Sequence, residues 1–282
     1  MNALDAKEDA AKRLLRAAGS AAVAFSGGAD STLLLDLARE ALGGRALAIT
    51  VDSPILPRRE LSAAQALAAS LGVRHMVAPG REMSIPDFVS NLSRRCYFCK
   101  KSHLSDMMEA ARDLGLTVLF HGANADDPAD HRPGLLAARE LGVRAPLAEA
   151  GLSKAEVREL SRRRGLSTWN KPSSACLASR IPHGSPVTAL KLAAIEAAED
   201  FLHDQGLSQL RVRHHGDTAR VEVTECDMPR FLDPAFRERA AAFLEGLGFR
   251  HSALDLRGYR TGSLNPDGPA PAPSKDNQRK TK

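Results

Sequence analysis

The stretch that decides the fold is A-A-V-A-F-S-G-G-A-D-S-T-L-L-L, which runs from Ala21 to Leu35. Its first five residues, 21–25, are small or apolar and predict a buried strand. Residues 32–42 carry the apolar spacing of a helix. A strand that enters a helix through a short glycine-bearing turn is typical of parallel α/β folds, which bind ligands beyond the carboxyl ends of their strands.

The turn itself is built to hold an anion, because free N–H groups and the positive end of a helix dipole face the end of the strand. It matches neither a Walker A loop, which ends in Gly-Lys-Ser/Thr, nor the dinucleotide pattern G-x-G-x-x-G. It resembles instead the PP-loop of the N-type ATP pyrophosphatases, which split ATP between its α and β phosphates. That resemblance implies that Mg²⁺-ATP lies against Ser26, Gly27, Gly28, Asp30 and Ser31.

The composition is that of an ordinary globular protein, with 282 residues, 43% hydrophobic and 26% charged. No apolar run is long enough to cross a bilayer, and residues 1–16 lack the apolar core of a secretory signal. We therefore expect a cytoplasmic protein without a membrane partner. Its four cysteines are then better explained by metal binding or catalysis than by disulfides.

The net charge of +5 raises the question of nucleic-acid binding. Four bases and two acids lie after Leu264, so part of the surplus belongs to the C-terminal tail. Aromatic residues make up only 4% of the chain, too few for obvious base-stacking surfaces. A nucleotide-sized anionic substrate explains the charge as well as RNA does, and nucleic acid is not the expected partner.

Strands and helices alternate after the first turn, which predicts a doubly wound parallel sheet of the α/β class. The predicted strands are 45–51, 73–78, 117–120 and 143–147, and the predicted helices between them are 58–71 and 102–114. Polar residues follow two of these strands and are candidates for the nucleotide edge, with plain turns as the alternative. They are Asp52, Gly122, Asn124 and Asp127, with Arg132 as a further anion-binding candidate.

The segment R-R-C-Y-F-C-K-K, residues 94–101, carries Cys96 and Cys99 in a C-x-x-C spacing. Two sulfurs so spaced can serve as a redox dithiol, as half of a zinc site, or have no joint role. The four flanking bases predict that the thiolate form is favoured. A third cysteine, Cys176, lies in a proline- and serine-rich stretch, 169–184, that predicts a loop.

The pattern changes at about residue 187 and predicts a second, smaller α+β domain. Helices over 187–203 and 229–246 accompany strands over 210–213, 220–223 and 249–256. Alternation places Arg211, Arg213 and Glu222 where they could bind a phosphate or carboxylate and a metal, or form a solvated face. The predicted domains are 1–184 and 185–263, followed by a disordered tail over 264–282.

Several motifs together resemble the LarE family, the sulfur transferases of nickel-pincer nucleotide synthesis. They are S-G-G-A-D-S, R-C-Y-F-C-K, G-A-N-A-D-D, D-H-R-P-G, P-L-A-E-A-G-L-S-K-A-E-V-R and K-P-S-S-A-C-L-A-S-R-I-P-H-G. The resemblance implies ATP-dependent adenylation of the carboxylates of pyridinium-3,5-biscarboxylic acid mononucleotide, followed by their conversion to thiocarboxylates. The product would receive nickel and become the lactate racemase cofactor.

This family has two chemical forms, and the cysteines bear on the choice. In one form the cysteine at the position of Cys176 gives up its own sulfur. In the other, three cysteines hold a 4Fe-4S cluster whose open iron binds the sulfide that is transferred. Because this chain has Cys96 and Cys99 as well as Cys176, we predict the cluster form. Cys226 has no partner in that scheme and is predicted to be structural.

The resemblance also implies roles elsewhere in the chain. Ser179 and Arg180 would face the substrate, Arg211 and Arg213 would bind its phosphate, and Glu222 would bind a metal. It further implies a homo-oligomer, a hexamer with contacts through the small domain, and a nickel insertase and a carboxylase as pathway partners. Three alternatives remain: a PP-loop tRNA thiolase, an ammonia-dependent ligase of the NAD-synthase type, and an ATP-sensing iron-sulfur or zinc carrier.

Overall fold

The structure is a computed structural model that describes residues 2–127, 133–172 and 174–260. The candidate Arg132 and the tail over 264–282 lie outside these residues. The chain divides into two compact units, Met1–Glu196 and Ala197–Lys282, which we call unit 1 and unit 2. The division falls within a helix, on the C-terminal side of the boundary predicted at residue 184.

Unit 1 contains a four-stranded parallel sheet with the strand order β3-β2-β1-β4. Its strands are β1 (Ala21–Ala24), β2 (Ala46–Asp52), β3 (Arg74–Pro79) and β4 (Leu119–His121). Its helices are α1 (Ala3–Ala17), α2 (Ala29–Leu42), α3 (Arg58–Ser70), α4 (Pro86–Val89), α5 (Arg95–Asp113), α6 (Pro133–Glu140), α7 (Pro146–Glu149) and α8 (Lys154–Arg163). A ninth helix, α9 (Ala189–Asp204), spans the division between the units.

Strand β1 is buried on both faces, because successive side chains along a strand point to opposite sides of the sheet. Val23 packs with Leu33 and Leu37 of α2 in one apolar cluster. Ala22 packs with Leu104 of α5 in a second cluster. The sheet therefore has helices on both faces, and the predicted doubly wound α/β class is confirmed.

The strand predicted over 143–147 is wrong. Arg144 forms a single parallel bridge with Phe120, and helix α7 begins two residues later at Pro146. Proline suits the first position of a helix because its missing N–H would have no partner there. Glu149 accepts a hydrogen bond from the Ala145 N–H at 3.1 Å, which further stabilises this helical turn.

Helix α5 begins at Arg95, well before the predicted start at residue 102. The C-x-x-C segment therefore lies in the first turn of a 19-residue helix. Since residues three apart on a helix share one face, Cys96 and Cys99 lie on the same side of α5. The predicted loop around Cys176 is likewise interrupted by one short 3₁₀ helix, Leu177–Arg180.

Unit 2 holds a three-stranded sheet in the order β5-β6-β7, antiparallel between the first pair and parallel between the second. The strands are β5 (Leu210–His215), β6 (Thr218–Val223) and β7 (His251–Leu254), and the helix is α10 (Pro234–Gly246). The helix begins later than predicted because Asp233 caps it by accepting from the Ala235 N–H. The α+β class predicted for this part of the chain is confirmed.

No helix in the described ranges is both long enough and apolar enough to cross a membrane.

Candidate active site

The predicted anion-binding turn, residues 26–31, connects β1 to α2, and we call it the phosphate loop. Gly27 in this loop lies in the left-handed region at φ +66°. Ser31 Oγ donates to the Gly28 carbonyl at 3.2 Å, and the Ser26 N–H donates to Ser31 Oγ at 3.3 Å. These bonds fold the loop back on the first turn of α2. Gly28 itself is the N-cap and has no side chain to accept a hydrogen bond from the first turn of α2. The N-terminal N–H groups of α2 are the kind of donors that bind an anion.

Close packing holds this loop from two sides. A Cβ on Gly122 would lie 2.9 Å from the Ser31 nitrogen, so the end of β4 touches the backbone of α2. A Cβ on Gly27 would lie 3.3 Å from the Cα of Ala64 in α3. Both glycines are therefore required by the approach of neighbouring backbone. The predicted residue Gly122 acts on the loop through its lack of a side chain.

Asp30 connects the loop to two side chains from elsewhere in the chain, Asn124, which was a predicted site residue, and Lys154, which was not. Asn124 Nδ2 donates to Asp30 Oδ1 at 3.2 Å, and the Lys154 ammonium forms an ion pair with Oδ2 of the same carboxylate. Asp127 accepts from the Asn124 N–H at 2.9 Å, which fixes the turn after β4. The structure thus brings Asp30, Asn124 and Asp127 together as predicted residues of one edge, and adds Lys154.

A second lysine, Lys171, also reaches the loop. Its ammonium donates to the Gly27 carbonyl at 3.2 Å and pairs with Glu60 of α3 at 2.8 Å. Sequence reasoning missed both lysines as site residues. Lys154 is the residue after the N-cap Ser153, and Lys171 precedes Pro172, but neither position signals a contact with a loop more than a hundred residues away.

Asp52 lies at the end of β2, and β2 pairs with β1, the strand that leads into the phosphate loop. Its carboxylate forms an ion pair with Arg58 at the start of α3, and its side chain remains 48% exposed. It can therefore be approached by a ligand at this edge of the sheet.

The helix that carries Cys96 and Cys99 is attached to the segment that carries Cys176. Arg95 is buried, and its guanidinium donates to the Ala178 carbonyl at 2.9 Å and to the Asn91 side chain. Asn91 in turn donates from Nδ2 to the carbonyls of Pro182 and Ser185, at 2.8 and 2.7 Å. The two cysteine-bearing segments are consequently held side by side.

The three cysteines share one electrostatic neighbourhood. Cys96 is exposed by surface area, but desolvation by the surrounding protein atoms still raises its pKa, and the nearby Cys176 raises it further. Burial raises the pKa of Cys99 well above its ordinary value, and Cys176, Glu82 and Cys96 add to that rise. The prediction that flanking bases favour the thiolates is therefore wrong for the metal-free chain, because desolvation outweighs the neighbouring positive charges.

This result predicts the order in which the thiols react. At pH 7, iodoacetamide should alkylate Cys99 at least about tenfold more slowly than exposed Cys226, because the thiolate is the reacting form and burial disfavours it. Peptide mass spectrometry over a time course of the metal-free protein measures both rates. Unfolding in denaturant is the control and should make the two rates similar. Equal rates in the folded protein would contradict the raised pKa of Cys99.

Fully buried Glu82 and partly exposed His103 form a pair next to Cys99 that the sequence did not reveal. His103 Nε2 lies 2.8 Å from Glu82 Oε2 and 4.0 Å from Cys99 Sγ. Burial alone would raise the pKa of Glu82, but hydrogen bonds from His103 and Ser53 outweigh it and hold that pKa below its usual value. The pair therefore places the His103 imidazole next to the Cys99 thiol.

Ser179 and Arg180, predicted to face the substrate, contact the backbone of Cys176. Ser179 Oγ donates to the Cys176 carbonyl at 2.7 Å, and the Arg180 guanidinium donates to the same oxygen at 2.7 Å. Arg180 is 1% exposed. Their visible effect is to fix the position of Cys176, while a direct contact with substrate stays a prediction.

In unit 2, the predicted residues Arg211, Arg213 and Glu222 lie on paired strands. Glu222 is fully buried, and its two carboxylate oxygens accept from Arg213 at 2.8 Å and from Arg220 at 2.9 Å. Arg211 on β5 is paired directly with Glu222 on the neighbouring strand β6. Its guanidinium lies 5.1 Å from the centre of the Tyr259 ring. Phosphate binding by these arginines and metal binding by Glu222 stay predictions.

The cysteine thiols are the candidate ligands for a metal centre, either a single ion or a cluster. Within residues 2–127, 133–172 and 174–260, no three His, Cys, Asp or Glu side chains are arranged to hold a single metal ion. An iron-sulfur cluster is wider than one ion and takes soft thiolates as ligands. Cys96, Cys99 and Cys176 are free thiols, and Cys176 raises the pKa of the other two, so these three are the residues that could hold such a cluster.

His121, at the end of β4, gives a pH-dependent prediction. Burial, helped by the charge of Lys100, lowers its pKa to about 4. Between pH 6.5 and 4 the unfolded chain therefore binds more protons than the folded chain, so the free energy of unfolding falls as the pH falls. From pH 7.5 to 5 this residue should account for a loss of about 2 kcal/mol.

Guanidinium denaturation of the metal-free protein at the two pH values measures that loss. His121→Gln should show a shallower pH dependence, while the matched change at exposed His251, His251→Gln, should leave the pH dependence as it is in the parent protein. An equal loss in the parent and in His121→Gln would contradict the neutral, buried state of His121.

The fold and the loop together define a class, the PP-loop α/β enzymes that use ATP. In agreement, residues 3–205 match the asparagine synthase family. A pyridinium-3,5-bisthiocarboxylic acid mononucleotide synthase of Lactiplantibacillus plantarum is 37% identical over 244 residues, which are 86% of this chain and 88% of that protein. The chain belongs to this synthase's family, the LarE family, as the sequence motifs predicted.

Two further relatives extend across most of the chain. An uncharacterised protein of Synechocystis is 40% identical over 245 residues, covering 87% of this chain and 91% of that protein. An uncharacterised protein of Methanocaldococcus jannaschii is 26% identical over 239 residues, covering 85% and 90% respectively. All three matches include both units rather than the nucleotide loop alone, since each covers far more residues than unit 1 holds.

Proposed function

We propose that this protein is an ATP-dependent sulfurtransferase that converts the carboxylates of pyridinium-3,5-biscarboxylic acid mononucleotide to thiocarboxylates. The observation that carries the proposal is the placement of Cys176, coupled to Cys96 and Cys99, in a segment that also contacts the phosphate loop through Lys171. The Lactiplantibacillus plantarum relative, named for the corresponding bisthiocarboxylic product, supports the choice of substrate.

In the first half-reaction, a carboxylate oxygen of the substrate attacks the α-phosphorus of ATP and pyrophosphate leaves. The N-terminal N–H groups of α2 would bind the β and γ phosphates. Mg²⁺ would offset their charge, with Asp30, Asn124 and Asp127 as the polar groups at that edge. The ammonium groups of Lys154 and Lys171, paired with Asp30 and Glu60, border the loop that would bind the pyrophosphate leaving group.

In the second half-reaction, sulfide attacks the carbonyl carbon of the acyl-adenylate, and AMP leaves with the former carboxylate oxygen. Cys96, Cys99 and Cys176 would hold a 4Fe-4S cluster, and that cluster, when bound, supplies the sulfide. Ser179 and Arg180 keep the Cys176 backbone in place during the exchange. Desolvation raises the pKa of Cys96 and of Cys99, and a bound cation would compensate the charge of their thiolates, so these two residues would favour the loaded state.

The remaining parts of the proposal concern unit 2 and the partners. Arg211 and Arg213 would bind the phosphate of the mononucleotide, and Glu222 would bind a metal. A homo-oligomer, a hexamer, would form through this unit. A carboxylase would supply the substrate and a nickel insertase would receive the product, all in the cytoplasm.

The test is an anaerobic assay with iron- and sulfide-reconstituted protein, Mg²⁺-ATP and the pyridinium substrate. We expect pyrophosphate release that depends on the substrate, and mass spectrometry should show one oxygen of each carboxylate replaced by sulfur. Failure to release pyrophosphate would overturn the proposal and favour an ATP-sensing carrier. Tight tRNA binding in a gel shift at physiological salt, without thiocarboxylate formation, would favour a tRNA thiolase.

A further inference from the structure

Lys171 links two parts of the site that the reaction uses in succession. Its ammonium contacts the Gly27 carbonyl at 3.2 Å, and Gly27 is the positive-φ residue of the phosphate loop. The same ammonium forms an ion pair with Glu60, and both side chains are about one quarter exposed. The lysine itself stands five positions before Cys176. One side chain therefore joins the phosphate loop to the cysteine segment.

The cysteine segment is fastened at a second point on the same edge of the sheet. The Leu177 N–H donates to the carbonyl of Ile55 at 2.8 Å, and Ile55 lies in the connection that follows β2. Cys176 thus has an anchor on each side along the chain, at Lys171 on the loop after β1 and at Leu177 on the loop after β2. Ser174 and Ala175 are exposed, and Cys176 is partly exposed. The position of Cys176 depends on both anchors.

The anchor at Leu177 joins backbone to backbone and is flanked by fully buried Leu177 and Ala178. The anchor at Lys171 consists of one flexible, charged side chain next to the place where a triphosphate binds. A bound anion attracts this ammonium, because the interaction of unit charges a few ångströms apart is substantial near a protein surface. Of the two anchors, the Lys171 ammonium is the one that a bound triphosphate would attract, in competition with its partner Glu60.

We propose that Lys171 is a positioning residue that couples triphosphate binding at the phosphate loop to the placement of Cys176. Binding of the triphosphate draws the Lys171 ammonium onto the anion and moves or tightens the segment that ends at Cys176. The inference takes from the proposed function only that Cys176 is the residue through which sulfur passes. Its consequence is that sulfur transfer becomes ready only when the activating nucleotide is in place.

The test measures the reactivity of Cys176, so it needs neither the pyridinium substrate nor iron. The full-length, metal-free protein is treated with iodoacetamide with and without Mg²⁺ and the α,β-methylene analogue of ATP, and the Cys176 peptide is quantified by mass spectrometry. In the parent protein we expect the analogue to change the alkylation rate at least about fivefold, the lower range of coupling between sites. In Lys171→Met at saturating analogue, we expect no change in rate.

Three variants separate coupling from folding and from charge. Lys171→Arg keeps the positive charge and donors and should restore most of the nucleotide effect. Lys191→Met removes a lysine that contacts Ser185 and Pro186 instead of the loop, and it should behave as the parent protein. Equilibrium dialysis of the analogue establishes saturation for each variant. An undiminished nucleotide effect in Lys171→Met, or no effect in the parent protein, would overturn the coupling whether or not thiocarboxylate is ever formed.

Discussion

Replacement of Cys176 by serine should abolish thiocarboxylate formation while substrate-dependent pyrophosphate release continues. Serine is nearly the same size, so the Cys176 carbonyl still accepts from Ser179 and Arg180 and the segment keeps its place. Adenylation takes place at the phosphate loop, which does not use the thiol. We expect product to fall by about 10³-fold or more, as when an essential reacting group is removed, and pyrophosphate release to change by less than about threefold. Coupled pyrophosphate and mass-spectrometric assays measure the two steps.

The paired cysteines decide which chemical form of the family this protein uses. The double variant Cys96→Ser/Cys99→Ser should lose product as completely as Cys176→Ser if all three thiolates hold the cluster. Cys226→Ser is the matched control, because Cys226 is exposed in unit 2 and contacts Thr224 at 3.0 Å. If the double variant still transferred about one sulfur atom per protein, Cys176 would be a sacrificial sulfur donor.

Local sequence patterns were sufficient for the central part of the fold. The buried strand Ala21–Ala24 and helix Ala29–Leu42 follow directly from an apolar run, two glycines and a helical spacing. The strand predicted over 143–147 failed because so short a segment, V-R-A-P-L, fits a strand or a short helix equally well, and Pro146 favours the helix. Helix α5 was predicted to begin too late, because the charged and aromatic residues around Cys96 lack the apolar spacing that indicates one face of a helix.

The candidate site was predictable where its residues share a turn or follow neighbouring parallel strands, as Asp30 and Asn124 do. Ser26 to Ser31 form one local loop, whereas Lys154 and Lys171 reach it from 124 and 144 positions away along the chain. Such contacts depend on how helices and loops pack, which no local pattern encodes. The charge state of Cys99 was missed for a related reason. Flanking lysines and arginines are visible in the sequence, but the burial that outweighs them is a property of the folded chain.

A single methyl group at Gly122 should disable the phosphate loop. A Cβ there would meet the Ser31 nitrogen at 2.9 Å and the Asp30 carbonyl carbon at 3.1 Å, and both neighbours are backbone atoms that no rotamer change can move. The backbone of Gly122 lies outside the left-handed region, so Gly122→Ala acts by contact alone. The first turn of α2 must shift away from β4. Since displacements near 1 Å at a reacting site cost about 100-fold in rate, we expect a loss of that size in pyrophosphate release.

The folded state should survive this change, because overpacking at one position costs about 1–3 kcal/mol. Gly44→Ala is the matched control, since a Cβ at Gly44 meets nothing within 4 Å and its φ is not positive. Isothermal titration with the ATP analogue and denaturation curves separate binding from stability for the two variants. Because the methyl group displaces the N–H groups that receive the phosphates, weaker nucleotide binding must accompany the slower reaction in Gly122→Ala. Parent-like affinity and rate in Gly122→Ala would show that the approach of β4 to α2 does not shape the phosphate site.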